Sequence, residues 1–145
     1  MVRNGKNGAK QLALIVDDDP DLLKSMVAQL TGMNFEVLDA LHYDAAVLHL
    51  SSRQPHLVCL DVDLPRQSGY ELCEYIRGPL GLMRVPILMM CESGYPEDMA
   101  HAEVAGANVF LKKPFTMPQL RSCVEALVEP GHRSVPHLRR LLVWR

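Results

Sequence analysis

Four residues at three separate places in the chain have the chemistry of a divalent-cation and phosphoryl site. Asp17 and Asp18 close the apolar run Leu12–Val16, Asp61 closes Leu57–Leu60, and Lys113, between Lys112 and Pro114, closes Asn108–Leu111. In a parallel α/β sheet, groups at the carboxyl ends of strands converge on one crevice. Hard divalent cations take oxygen ligands, and Mg²⁺ uses one or two carboxylates with waters. Asp17 and Asp18 are adjacent, so both can reach one ion, one of them through water. Asp61 adds a third carboxylate, and a strand-end backbone carbonyl, that of Asp63, can complete the shell. Three carboxylates repel one another unless cations balance them; Lys113 supplies one positive charge and the metal two. Acids of a solvated loop are the plainer reading, but independent strand ends supply the two sides of this site.

The elements that must position these residues follow from the apolar spacing. Strands are expected over Leu12–Val16, Phe35–Leu38, His56–Leu60, Val85–Met90 and Asn108–Lys112. The first helix starts near Pro20, which suits a first turn. Its Leu23, Val27 and Leu30 fall at i, i+4 and i+7 with Met26 beside them, and Gly32 stops it. The second runs from about Asp44, a good N-cap, to Leu50. The third follows Gly69, carries Tyr70, Leu72, Cys73 and Ile76, and ends near Gly78; the fourth runs from near Pro96 to Gly106. The fifth covers Thr116–Val128, with Leu120, Val124 and Leu127 on one face. The unbroken apolar third strand implies burial on both faces, and Pro86 is tolerable only where the fourth begins. Five such βα units imply an α/β protein with a parallel sheet and helices on both faces.

The bulk properties agree. A chain of 145 residues suits one domain with a core of its own. The composition, 48% hydrophobic and 22% charged, is that of a globular protein. A net charge of -2 gives no reason to expect nucleic-acid binding. No apolar run approaches a membrane span, and no signal-peptide core follows the polar start. Residues 1–10 read as a flexible lead-in, 11–129 as the domain and 130–145 as a tail. The tail carries Leu138, Leu141, Leu142, Val143 and Trp144 among Arg133, Arg139, Arg140 and Arg145. It is either a last helix or strand packed on the domain or an interaction segment for a partner or second copy. Cys59, Cys73, Cys91 and Cys123 form no CxxC pair and read as free thiols in a reducing cytoplasm. His42, His49 and His56 recur every seven residues, but Pro55 breaks any helix that would align them.

With Val16-Asp17-Asp18, Leu60-Asp61-Val62-Asp63-Leu64-Pro65, Gly69 and Lys113-Pro114-Phe115 in this order and spacing, the chain resembles the response-regulator receiver domain of two-component signalling. Its single-domain chemotaxis type is the simplest form. The resemblance spans about Gln11 to Val128. It implies a flavodoxin-like (βα)5 fold, a five-stranded sheet whose order 2-1-3-4-5 is taken from the family. It also implies that Asp61 is the phosphoacceptor. Asp17, Asp18, Asp61 and the Asp63 carbonyl then hold Mg²⁺, Lys113 contacts the phosphoryl oxygens, and Pro65, Gly69 and Pro114 shape the loops. The Lys113-Pro114 bond is expected to be cis. Phe110 matches the aromatic that turns inward on activation, and with Gly94, Tyr95, Arg121 and Glu125 it lies in or near the family's usual output face. The implied partners are a sensor histidine kinase or phosphotransfer protein and an unknown downstream protein. The implied setting is a cytoplasmic monomer or weak dimer, with no nucleic acid or membrane. Self-catalysed phosphoryl transfer and dephosphorylation are its only implied chemistry.

One position departs from the family, where the fourth strand ends in Ser or Thr. Here Cys91 ends it and Glu92 follows; a slip of one residue would bring Ser93 nearer the site. A thiol is a weak donor, and losing a good hydrogen bond to a charged group costs roughly 1.5–3 kcal/mol. Glu92 would repel an anionic donor unless it turns outward. Neighbouring carboxylates argue against a redox role for Cys91. An interaction module that works without phosphorylation is therefore the alternative. Asp61-Val62-Asp63 is also similar to the nucleophile motif of haloacid-dehalogenase-like phosphatases, but that motif ends a first strand and here it ends the third.

Overall fold

A computed structural model of the chain describes residues 9–128 and 142–144. Most of the expected lead-in, and the tail apart from its last strand, lie outside the described residues. The elements alternate: β1 (Gln11–Val16), α1 (Pro20–Gly32), β2 (Phe35–Ala40), α2 (Tyr43–Leu50), β3 (Leu57–Asp61), α3 (Gly69–Arg77), β4 (Ile87–Cys91), α4 (Pro96–Ala105), β5 (Val109–Lys112) and α5 (Met117–Val128). A short β6 (Leu142–Trp144) follows. All pairings are parallel, and the sheet order is β2-β1-β3-β4-β5-β6. The family's five-strand order 2-1-3-4-5 is therefore present. The tail adds a sixth strand at the β5 edge, with Val143 opposite Phe110.

Two apolar layers flank the sheet. Leu23, Met26 and Leu30 of α1 and Leu120, Cys123, Val124 and Leu127 of α5 bury against one face, with Ile15, Cys59 and Met90. Residues of α2, α3 and α4 bury against the other, with Val16, Leu60 and Met89. The central strands β3 and β4 are buried along their whole length, as their unbroken apolar runs require.

Several boundaries differ from the sequence expectation, each for a local reason. β2 continues two residues past Leu38 to Ala40, whose carbonyl accepts the Asp17 N–H at 3.1 Å. β2 is an edge strand, and exposed Asp39 is tolerated there. α2 is capped by His42, whose Nδ1 accepts the Ala45 N–H at 3.2 Å, so Asp44 falls in the first turn instead. β3 starts at Leu57, and His56 instead accepts the Leu12 N–H on its Nδ1 at 2.8 Å. β4 starts after Pro86, which has no N–H for a ladder. α5 opens on a reciprocal box: Thr116 Oγ1 accepts the Gln119 N–H at 3.2 Å, and Gln119 Oε1 accepts the Thr116 N–H at 2.8 Å.

The end of the sheet away from the carboxylates is tied by Arg77. Its guanidinium donates to the carbonyls of Gly106, Leu82 and Val85 and to Asn108 Oδ1, at 2.7–3.0 Å. Asn108 Oδ1 also accepts the Ile87 N–H at 2.8 Å, which locks the starts of β4 and β5 together. Gly106 has φ +108°, and a Cβ there would meet the Arg77 stem at 2.8 Å.

Candidate functional site

The parallel register brings the carboxyl ends of β1, β3, β4 and β5 to one edge of the sheet. The residues that end or follow these strands line an open cavity of about 710 Å³. Its walls are Asp18, Asp19, Leu22, Asp61, Asp63, Glu92, Lys113, Pro114 and Phe115. Asp17 and Asp61 are buried, at 0% and 2% exposure, whereas Asp18 is exposed. One carboxylate oxygen from each of Asp17, Asp18 and Asp61 lies within 4.8 Å of the other two. Lys113 joins the two buried acids, with Nζ 2.8 Å from Asp17 Oδ2 and 3.2 Å from Asp61 Oδ1.

Backbone groups fix the acids. Asp17 Oδ1 accepts the Asp19 N–H at 2.9 Å. Asp19, which the sequence reading does not single out, caps α1 by accepting from the N–H groups of Asp21 and Leu22. Asp61 Oδ1 accepts the Asp63 N–H at 3.4 Å. The loop after β3 turns back on itself, with the Leu64 and Gly69 N–H groups both bonded to the Val62 carbonyl, at 3.1 and 2.9 Å. Within it Pro65 is exposed and Arg66 takes a left-handed φ of +67°. Gly69 then starts α3 directly against β3; a Cβ there would sit 2.2 Å from the Asp61 carbonyl oxygen. On the far side, the Lys113 N–H bonds to the Cys91 carbonyl at 2.8 Å, and the Lys113-Pro114 peptide is cis, as expected from the resemblance.

Charge and burial set the protonation balance. Burial, reinforced by the Asp17 charge, pushes the Asp61 carboxyl up to about 6, against the pull of Lys113 and the Asp63 N–H. Burial works against the Lys113 ammonium, but its hydrogen bond to Asp17 and the Asp61 charge hold it above the usual lysine range. Two buried acids balanced by one ammonium, with a third acid at the mouth, form an oxygen-only donor set that suits Mg²⁺.

The end of β4 differs in character. Cys91 is the last residue of the strand and is buried. Ser93 does not line the cavity: its hydroxyl donates to Asp98 of α4, and its oxygen lies 3.5 Å from the Cys91 sulfur. Tyr70 of α3 donates to the Asp98 carbonyl at 3.3 Å and stacks on His101, ring centroids 3.7 Å apart. Nothing in the sequence pattern signals this chain of contacts. Phe110 is buried, in the layer that holds Tyr70, Met89 and Cys91. Tyr95, by contrast, is 66% exposed. Among the cysteines, all free, burial pushes the Cys59, Cys73 and Cys123 thiols up to about 12, which leaves them unreactive.

The fold and this acidic site define a receiver, and residues 13–125 match the response regulator receiver domain; the chain belongs to that family. It is 33% identical over 121 residues to the phosphate regulon transcriptional regulatory protein PhoB of Rhizobium meliloti, covering 83% of this chain and 53% of that protein. Among solved structures, a putative response regulator from Chloroflexus aurantiacus is 33% identical with a TM-score of 0.74, covering 81% of this chain and 97% of that one. The chemotaxis response regulator CheY4 of Vibrio cholerae, 23% identical, shares the fold with a TM-score of 0.78, over 83% of this chain and all of that one. The chain spans about half the length of the curated relatives it first matches. No helix among the described residues is long and apolar enough to cross a membrane.

Proposed function

We propose that this receiver accepts a phosphoryl group on Asp61 from a cytoplasmic histidine kinase or phosphotransfer protein and passes the signal on through protein contacts. The observation that carries this reading is the joining of Asp17 and Asp61 by the Lys113 ammonium beside exposed Asp18. Asp17, Asp18, Asp61 and the Asp63 carbonyl would hold Mg²⁺. When bound, the ion supplies positive charge that offsets the three carboxylates and the incoming phosphoryl oxygens.

Phosphoryl transfer needs positioning and charge neutralisation more than covalent help. Asp61 presents an oxygen to phosphorus from a fixed rotamer, held by the Asp63 N–H and Lys113. The phosphorus–nitrogen bond of the donor phosphohistidine breaks as the Asp61 oxygen–phosphorus bond forms. The electron pair stays on the imidazole, which takes up a proton. Lys113, already between the two buried acids, balances charge on the transferred group. The transcriptional role named for PhoB is that protein's, of whose length the match covers 53%.

The test is a radiolabelled small phosphodonor with Mg²⁺. Label that is stable in acid, released by hydroxylamine and absent from Asp61→Asn supports the reading. Label that persists in Asp61→Asn contradicts it. One observation favours a second reading, an interaction module that works without phosphorylation: β4 ends in a thiol, and the nearby Ser93 hydroxyl is already bonded to Asp98. Partner binding unchanged by Asp61→Asn would favour the module, and loss of binding would count against it.

A further inference from the structure

Glu92 follows β4 and lines the cavity mouth, while Asp18 and Asp19 follow β1. In the sheet order, β3 and its Asp61 lie between those two strands, so acids flank the acceptor on both sides. Among the described residues, five carboxyl groups line the cavity against a single ammonium, that of Lys113. The ammonium is committed to Asp17 and Asp61. Glu92 is exposed and takes part in none of the ion pairs among the described residues. Lys112, the nearest basic neighbour in sequence to Lys113, is not part of the cavity wall. The mouth is therefore an anionic funnel around a site whose substrate is itself an anion.

We propose that Glu92 is a specificity-determining residue: it draws the divalent cation in and disfavours small free phosphate donors. That favours phosphohistidine presented on a protein whose surface is cationic around it. The proposal rests on Asp61 being the phosphoacceptor. A cleft lined by one sign of charge changes the local concentration of small ions and their rate of arrival, and the effect fades as salt screens it. A donor protein carrying lysine or arginine beside its histidine would gain where a free anion loses.

The isosteric Glu92→Gln separates charge from shape. At low ionic strength it should speed labelling by acetyl phosphate, a dianion, about three- to tenfold. Labelling by phosphoramidate, a monoanion at neutral pH, should speed up less. Both gains should shrink toward unity in high salt. Calorimetry with Mg²⁺ alone should show weaker binding by Glu92→Gln, by about two- to fivefold at low salt. Faster use of an anion together with weaker binding of a cation is the signature of a field; a steric or folding change does not produce it. Equal gains for both donors at every salt concentration, or unchanged Mg²⁺ affinity, would overturn the proposal. If no donor labels either protein, or label survives Asp61→Asn, the phosphoacceptor reading fails instead, and the Mg²⁺ measurement still decides the role of Glu92.

Discussion

Lys113 Nζ lies closer to Asp17, at 2.8 Å, than to Asp61, at 3.2 Å, although Asp61 is the residue read as the acceptor. The ammonium is thus anchored from behind by an acid that is completely buried, and it reaches forward to a second one. Anchoring of this kind holds a cation in place before a phosphoryl group arrives. Replacing Lys113 by Met keeps the stem and removes the charge. Two buried carboxylates are then left unbalanced, so the metal-free protein should lose about 3 kcal/mol of stability in denaturant titration at neutral pH. Millimolar Mg²⁺ should restore part of that loss. A loss that Mg²⁺ does not reduce would argue against a shared cation site.

The same crowding makes stability depend on pH. Asp61 titrates near 6 in the folded protein, above the ordinary carboxylate range, chiefly because it is buried and faces Asp17. A raised carboxyl pKa favours the fold while the proton is on, and that contribution is lost as pH rises from about 4 through about 6. Asp61→Asn cannot ionise, so without metal it should be more stable than the parent at pH 7.5, by on the order of 2 kcal/mol. The two proteins should converge near pH 4. Thermal denaturation in chelator across this range checks both statements.

Gly69 sets how closely α3 approaches the acceptor strand. A methyl group there would stand 2.2 Å from the Asp61 carbonyl oxygen, and the backbone on both sides would have to move. Gly69→Ala should cost about 2 kcal/mol or more through overpacking. Mg²⁺ affinity should fall with it, because the displaced backbone belongs to Asp61 itself. Calorimetry on a variant that still melts cooperatively separates the two effects.

At the opposite end of the sheet, Arg77 is a cation satisfied by carbonyl and amide oxygens rather than by a carboxylate. Burial lowers its pKa from the usual arginine value. Arg77→Ala leaves Asn108 and several carbonyls short of donors and should destabilise the fold by about 3 kcal/mol. Because the brace lies away from the acidic cavity, Mg²⁺ affinity should hardly change.

These residues differ in how far the sequence alone reveals them. The strand ends that carry Asp17, Asp61 and Lys113 are legible because each closes an apolar run, and convergence follows from parallel pairing. The partners within the cluster are not: nothing in the spacing says that Lys113 lies nearer Asp17 than Asp61. Arg77 reads as the last charged residue of an amphipathic helix, and its bonds to Gly106 and Asn108 arise only when α3 packs beside the start of β5. β6 is three residues long within an arginine-rich tail, and its pairing with β5 is purely tertiary. β4 runs one residue past the expected Met90 to end at Cys91, and the bond that takes the Ser93 hydroxyl to Asp98 depends on where α4 docks.

A phosphoryl group on Asp61 is detected most directly by trapping it. After incubation with Mg²⁺ and a phosphodonor, borohydride reduces an aspartyl phosphate to homoserine, and peptide mass mapping locates the change. That change is expected at position 61 alone, dependent on Mg²⁺ and greatly reduced when Lys113 is replaced by Met. Reduction at another carboxylate, or none under conditions where the protein binds Mg²⁺ and remains folded, would contradict it.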